Sequence, residues 1–155
     1  MANEELSQQE WHKKQAIHAF NSTWDLIEKV DRSPEDTLKM IHMAHASRYH
    51  WGEIGTDLEF ARGEWQISRV YSIVKCPERA LFHAKASLDY CEKSNIGDFD
   101  LAFAYEAIAR SYYLLNQISE YEKFYNLALA ASNNISKESN KTYFISELNS
   151  ITSVY

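Results

Sequence analysis

Glycine and proline together supply only 6 of the 155 residues, four glycines and two prolines, where average usage of roughly 12% would give about 19. Sandwiches, hairpin-rich barrels and glycine-loop nucleotide folds need more turn residues than that. With 45% hydrophobic and 14% aromatic residues, the chain can bury a substantial core and is no disordered tail. The expected class is therefore all-α. The formal charge of −6 is shared evenly by the two halves, so no basic stripe is present to follow a phosphate backbone, and nucleic acid is excluded as a partner class.

Five of the six breakers fall where helices should meet. Pro34, the pair Gly52 and Gly55, Pro77 and Gly97 are spaced about twenty residues apart, and polar clusters at Asn116 to Ser119 and Ser132 to Ser136 continue the series. Start signals lie beside them, because a hydroxyl accepts from a free amide of the first turn while an acid three residues on reaches back. Ser7 with Glu10, Ser33 with Asp36, Thr56 with Glu59 and Ser119 with Glu122 have that spacing, and Asp98 and Ser136 are further expected caps. Pro34 and Pro77 then occupy the first helical position, where the missing amide hydrogen costs nothing. Seven helices are predicted, over 8–30, 34–50, 57–75, 78–94, 98–116, 120–133 and 137–152. Apolar stripes at helical spacing support them: Ile17, Phe20, Trp24 and Ile27; Ile67, Val70, Tyr71 and Val74; and Leu101, Tyr105, Ile108, Tyr112 and Leu115. Short loops force successive helices into antiparallel hairpins. The expected organisation is one domain of three hairpins, 8–50, 57–94 and 98–133, with a closing helix over 137–152. Gly63, alone inside the third helix, points to close helix packing.

The helices repeat. A shift of 41 residues superposes Tyr71 on Tyr112, Ala80 on Tyr121, Ala84 on Tyr125 and Leu88 on Leu129. A weaker echo links Pro34 to Leu38 with Pro77 to Leu81, and Ala44 to Ser47 with Ala84 to Ser87. The difference in offset gives the first pair about one extra helical turn. Tyr105-x-x-Ile108-Ala109-x-x-Tyr112 followed by Tyr121-x-x-x-Tyr125-x-x-Ala128-Leu129 resembles the tetratricopeptide repeat signature. Glu64-x-x-Ile67-Ser68-x-x-Tyr71, followed by Ala80-x-x-x-Ala84-x-x-Ser87-Leu88, is its fainter predecessor. The resemblance covers residues 57 to 133. It departs in period, 41 rather than about 34, in lacking Gly at the small-residue position, and in lacking the proline that closes each unit.

The resemblance implies hairpins stacked as a right-handed superhelix, with the first helix of each pair lining a concave face that holds the ligand. Carried over residue by residue, that face comprises Arg62, Trp65 and Arg69, then Phe103, Glu106, Arg110 and Tyr113. Large aromatics on a solvent face need a cover. Arginines among them can grip a carboxylate with two parallel bonds. Two readings stay open: a groove for an extended peptide or a small anion, or a short array whose aromatics pack against the terminal helices while the arginines answer surplus acids. The segment from Arg48 to Gly55 offers His50 and Trp51 as a wall of that groove, or Trp51 as the cover of a hairpin end with Gly52 or Gly55 as a left-handed stop.

Histidine supplies the rival function. Six are present, and His42 and His45 share a helical face, while His50 lies roughly 80° round from His42 at ~100° per residue. A metal-binding protein or metal-dependent hydrolase would use these three with a carboxylate from Glu53, Asp57 or Glu59. Neither HExxH nor a paired Glu-x-x-His is present, and neither are GxSxG, a P-loop or GxGxxG. Asn95 to Asp100 has the composition of a calcium loop but too few acids for one. The leading expectation is a non-enzymatic scaffold or adaptor that binds a peptide or protein partner without a cofactor. An oligomer buried through Tyr143 and Tyr155 is a third possibility. Glu4, Glu5 and Glu10 stand where a signal peptide needs basic residues, and no apolar run reaches the roughly 18 residues of a membrane span. The expected location is cytoplasmic, with no membrane partner, and Cys76 and Cys91 are expected to be reduced thiols.

Overall fold

A computed structural model of the chain describes residues 5–153; Glu4 and Tyr155, invoked above, lie outside the described residues. Seven helices follow one another: α1 Gln8–Glu28, α2 Pro34–Ile54, α3 Asp57–Ile73, α4 Pro77–Lys93, α5 Asp98–Leu114, α6 Ile118–Ser132 and α7 Glu138–Ser150. Consecutive helices pack as antiparallel hairpins, α1 with α2, α3 with α4 and α5 with α6, while α3 also meets α5 and α7 lies on α5 and α6. The 41-residue shift is structural, since α3 and α5 both start and end 41 apart, as do the starts of α4 and α6. The first hairpin is longer by one turn per helix, with 21 residues in each of α1 and α2 against 17 in each of α3 and α4.

Within each hairpin the seam is built from small residues, which let two backbones approach closely. Ala16 and Ser47 meet in the first and Ala61 and Ser87 in the second, where each serine hydroxyl donates to the facing alanine carbonyl at 2.8 Å. In the third hairpin Ala102 and Ala128, both fully buried, take the positions 41 residues on. This arrangement corrects the expectation for α1. Its buried residues are His12, Ala16, Ala19 and Thr23, whereas Ile17, Phe20 and Trp24, expected to form core, line cavities along the neighbouring face of the helix.

The caps agree with expectation where the signal is local. Ser7 accepts from the Glu10 amide at 3.1 Å, Ser33 and Asp36 form a full capping box, and Glu59 reaches back to the Thr56 amide at 3.2 Å. They differ where tertiary contacts decide. Gly97, not Asp98, is the N-cap of α5; Asp98 has a φ of 53°, and its carboxylate accepts from the Ser136 amide and hydroxyl. Ser136 is thereby spent, and Lys137 caps α7. Ser119 lies inside α6, which starts at Ile118.

The stops are also corrected. α2 runs through Gly52 to Ile54, and Gly55 at its end has a φ of −94°. The left-handed positions belong instead to Lys75, Asn95 and Asn116, with φ of 61°, 52° and 58°. Each is followed by an amide that reaches back five residues, Cys76 to Tyr71, Ile96 to Cys91 and Gln117 to Tyr112, at 2.8 to 3.0 Å. That is the Schellman closure. Both cysteines are free thiols, and burial pushes the Cys91 thiol up to about 12, well away from reactivity. No helix among the described residues is long and apolar enough to cross a membrane.

Candidate functional site

The side shared by α1, α3, α5 and α7 carries a partly enclosed cavity of about 220 Å³. Phe20 and Trp24 of α1, Trp65 of α3, Phe99 and Phe103 of α5 and Tyr143 of α7 form its aromatic walls, with Arg62 and Asp100 beside them. The rings support one another: Trp24 and Trp65 lie 5.5 Å apart, Trp65 and Phe103 meet edge to face at 5.2 Å, and Phe103 packs on Phe99 at 4.6 Å. The buried Gln66 amide donates to the Phe20 carbonyl at 3.0 Å and ties α1 to α3 beside the cavity. A second cavity of about 140 Å³ adjoins the first through Phe20 and Arg62, and is completed by Ile17, Asn21, Trp51 and Glu59.

The predicted arginines have acids already. Arg62 meets both oxygens of Asp100, at 2.9 and 3.1 Å, and that hydrogen bonding raises the guanidinium pKa above its usual value. Because the Arg62 side chain stays 53% exposed, the pair adds about 0.2 to 1 kcal/mol of stability. Arg69 pairs with Glu147 at 3.0 Å and Glu106 at 3.5 Å, and lies over the Trp65 ring at 5.7 Å. Arg110 binds Glu106 at 2.7 Å and donates to the Glu147 carbonyl and the Ser150 hydroxyl. The seam α3–α5–α7 thus holds alternating charges with Glu106 at its centre, 0% exposed.

Of the predicted residues, Arg62, Trp65 and Phe103 come together at the larger cavity. Glu106 and Arg110 are buried under α7 rather than open to a ligand, and Tyr113 packs edge to face on Tyr121 at 5.2 Å. Trp51 walls the second cavity, but His50 faces away, its Nδ1 2.9 Å from His12 Nδ1. Burial and the His12 ring hold the His50 pKa below its ordinary value. The rival histidines part company: His45 bonds the Tyr71 hydroxyl at 2.8 Å, His42 is exposed, and among the described residues no three His, Cys, Asp or Glu side chains converge as a metal site would require. Asp98 and Asp100 likewise serve Ser136 and Arg62, not a shared cation.

Sequence reasoning assigned Phe20 and Trp24 to the core, and did not select Phe99, Asp100 or Tyr143 for the groove. One signal was available for α1: a helix bearing both a small-residue stripe and a bulky one can pack closely through the first and present the second elsewhere. Three buried side-chain atoms nearby have no hydrogen-bond partner, Trp65 Nε1, Gln66 Oε1 and Glu106 Oε2. Comparison with protein-family models, curated proteins and solved structures returns no significant match.

Proposed function

We propose that the protein is a non-catalytic, tetratricopeptide-like scaffold that binds a peptide segment of a partner protein through the aromatic cavity. The observation that carries this reading is the cavity itself, six aromatic side chains from four helices gathered on one side of the array. Monomeric folds rarely leave such a surface uncovered without a use for it. Its size selects the occupant. A dry cavity of about 150 Å³ already admits benzene, whereas sites for drug-sized ligands run from about 300 to 1,000 Å³. At about 220 Å³, this one suits a single large apolar side chain. The neighbouring cavity of about 140 Å³ suits a smaller one, and together they make a groove for an extended segment. The repeat spacing and the hairpin order support the family-like reading of that groove as the concave face. An anionic ligand fits less well, because the arginines that would hold it already contact carboxylates.

A displayed library of random dodecapeptides, selected on the full chain, tests the reading. Enriched peptides should share a Trp, Phe, Tyr or Leu anchor, and Trp24→Ala should weaken them about tenfold or more, as loss of a central aromatic contact does. Tyr143→Ala, at a side chain 47% exposed, should weaken them as well without altering the thermal melt. Peptides that bind both variants as tightly as the parent chain would place the binding surface elsewhere.

A further inference from the structure

We infer that the segment bound in this groove is basic, with Lys or Arg beside its apolar anchor. The inference rests on the groove reading above and adds the charge of the partner.

Arg62 with Asp100 and Glu59 lines the two cavities, and beside them stand Glu28, Arg69 and Glu147, each acting on the Tyr143 wall, which makes four acids against two bases outside the buried Glu106 and Arg110. Acids therefore exceed bases by two at the rim. The imbalance extends along the elements. The odd-numbered helices α1, α3, α5 and α7 carry eleven acids and six bases, and the even-numbered ones eight and six. Most of the chain's negative charge thus resides on the helices that line the groove.

Glu28 gives the excess a place. It lies one helical turn beyond Trp24, hence on the same side of α1, and is exposed. Among the described residues it has no hydrogen-bond or ion-pair partner. It adds the smallest of the charge effects that raise the pKa of Tyr143 on the cavity wall. Burial first, then Glu147, raise the Tyr143 pKa, with Arg69 opposing and Glu106 and Glu28 adding to the rise. Behind that wall, Glu106 Oε2 is a buried carboxylate oxygen without a donor. A cation carried next to the anchor would meet Glu28 at small desolvation cost. An acidic flank would meet Glu28 and Glu59, and it would have to displace Asp100 from Arg62 to find a base.

Three fluorescein-labelled nonapeptides of one length, each with a central Trp flanked by Lys, Gln or Glu, test this by anisotropy on the full chain. The expected order is Lys tightest, then Gln, then Glu, with about three- to fivefold between steps at low salt, the scale of an exposed ion pair. The spread should close towards one at about 0.5 M salt. Glu28→Lys should bring the Lys and Glu peptides together or reverse them. Equal or tighter binding of the Gln or Glu peptide overturns the basic partner and leaves the groove standing. Failure of all three peptides, together with an empty display selection, overturns the groove and this inference with it.

Discussion

Gly63 is explained by one side chain. A Cβ built there would lie 2.9 Å from Cδ of Arg48, and Arg48 cannot easily step aside. Its guanidinium bonds Glu64 and the Tyr90 hydroxyl, both at 3.1 Å, and lies 4.3 Å over the Phe60 ring. Gly63→Ala gains about 1 kcal/mol of helix propensity but overpacks a held side chain, which costs about 1 to 3 kcal/mol. The expected net result is a loss of about 1 kcal/mol in urea unfolding. In an Arg48→Ala background the clash is gone, so the same alanine should stabilise by about 0.5 to 1 kcal/mol. Equal losses in both backgrounds would disprove this account of the glycine. Glu64 extends the chain of contacts, accepting from His83 at 2.6 Å, and His83 stacks on Tyr71, the partner of His45. Burial first, then the facing His83, hold the His45 pKa below 6.5, with His42 of α2 and Arg79 of α4 adding to that and Glu64 of α3 opposing it. A depressed histidine pKa means the unfolded chain takes the proton first. Its stabilisation is therefore complete above about pH 6.5 and is lost as pH falls from there towards the folded value. Unfolding free energy should drop between pH 7.5 and 5.5, and His45→Gln should flatten that slope; an unchanged slope would remove His45 as its source.

Among elements, helix existence was legible because periodicity, caps and prolines are all local. Ser7, Ser33 and Thr56 mark their helices in the sequence and in the fold. Asp98 and Ser136 mislead because they bind each other across 38 residues, a contact no window of sequence contains. Helix ends were harder still, since the scarcity of glycine sends the left-handed stop to Lys75, Asn95 and Asn116. Asparagine tolerates that region through its short polar side chain, whereas lysine bears the full steric cost of about 1 to 2 kcal/mol. Lys75→Gly removes that cost and returns part of it through greater unfolded-state entropy. The melt should rise by about 1 to 4 °C, the equivalent of 0.5 to 1 kcal/mol in a chain of this size. Asn116→Gly, at the position 41 residues on, should raise it less. A melt lowered by Lys75→Gly would show that the lysine side chain contributes something the glycine lacks.

For the whole molecule, α7 decides what the groove is. Phe144, Leu148 and Ile151 are buried, so the helix is part of the core, while Glu147 meets Arg69 and Tyr143 walls the cavity. Repeat spacing fixes which sides of α3 and α5 correspond, and Arg62, Trp65 and Phe103 meet at one cavity. The alternative of a short array closed by its terminal helices, with arginines answering acids, describes Arg69 and Arg110 under α7, and what local patterns do not carry is how far that helix reaches over α5. The covered seam makes a charge-balance prediction. Arg69 and Arg110 face Glu106 and Glu147, two charges of each sign. Glu106→Gln leaves an excess positive charge where Glu106 was 0% exposed, and removing one member of a buried ion pair costs about 3 to 5 kcal/mol. Adding Arg110→Met restores the balance with an apolar chain of similar length, a replacement that is often neutral for buried ion pairs. The double variant should recover at least half of the single variant's loss in urea unfolding. If the two losses instead add, α7 is held by the individual hydrogen bonds of Arg110 to the Glu147 carbonyl and Ser150, and charge balance has no part in closing the groove.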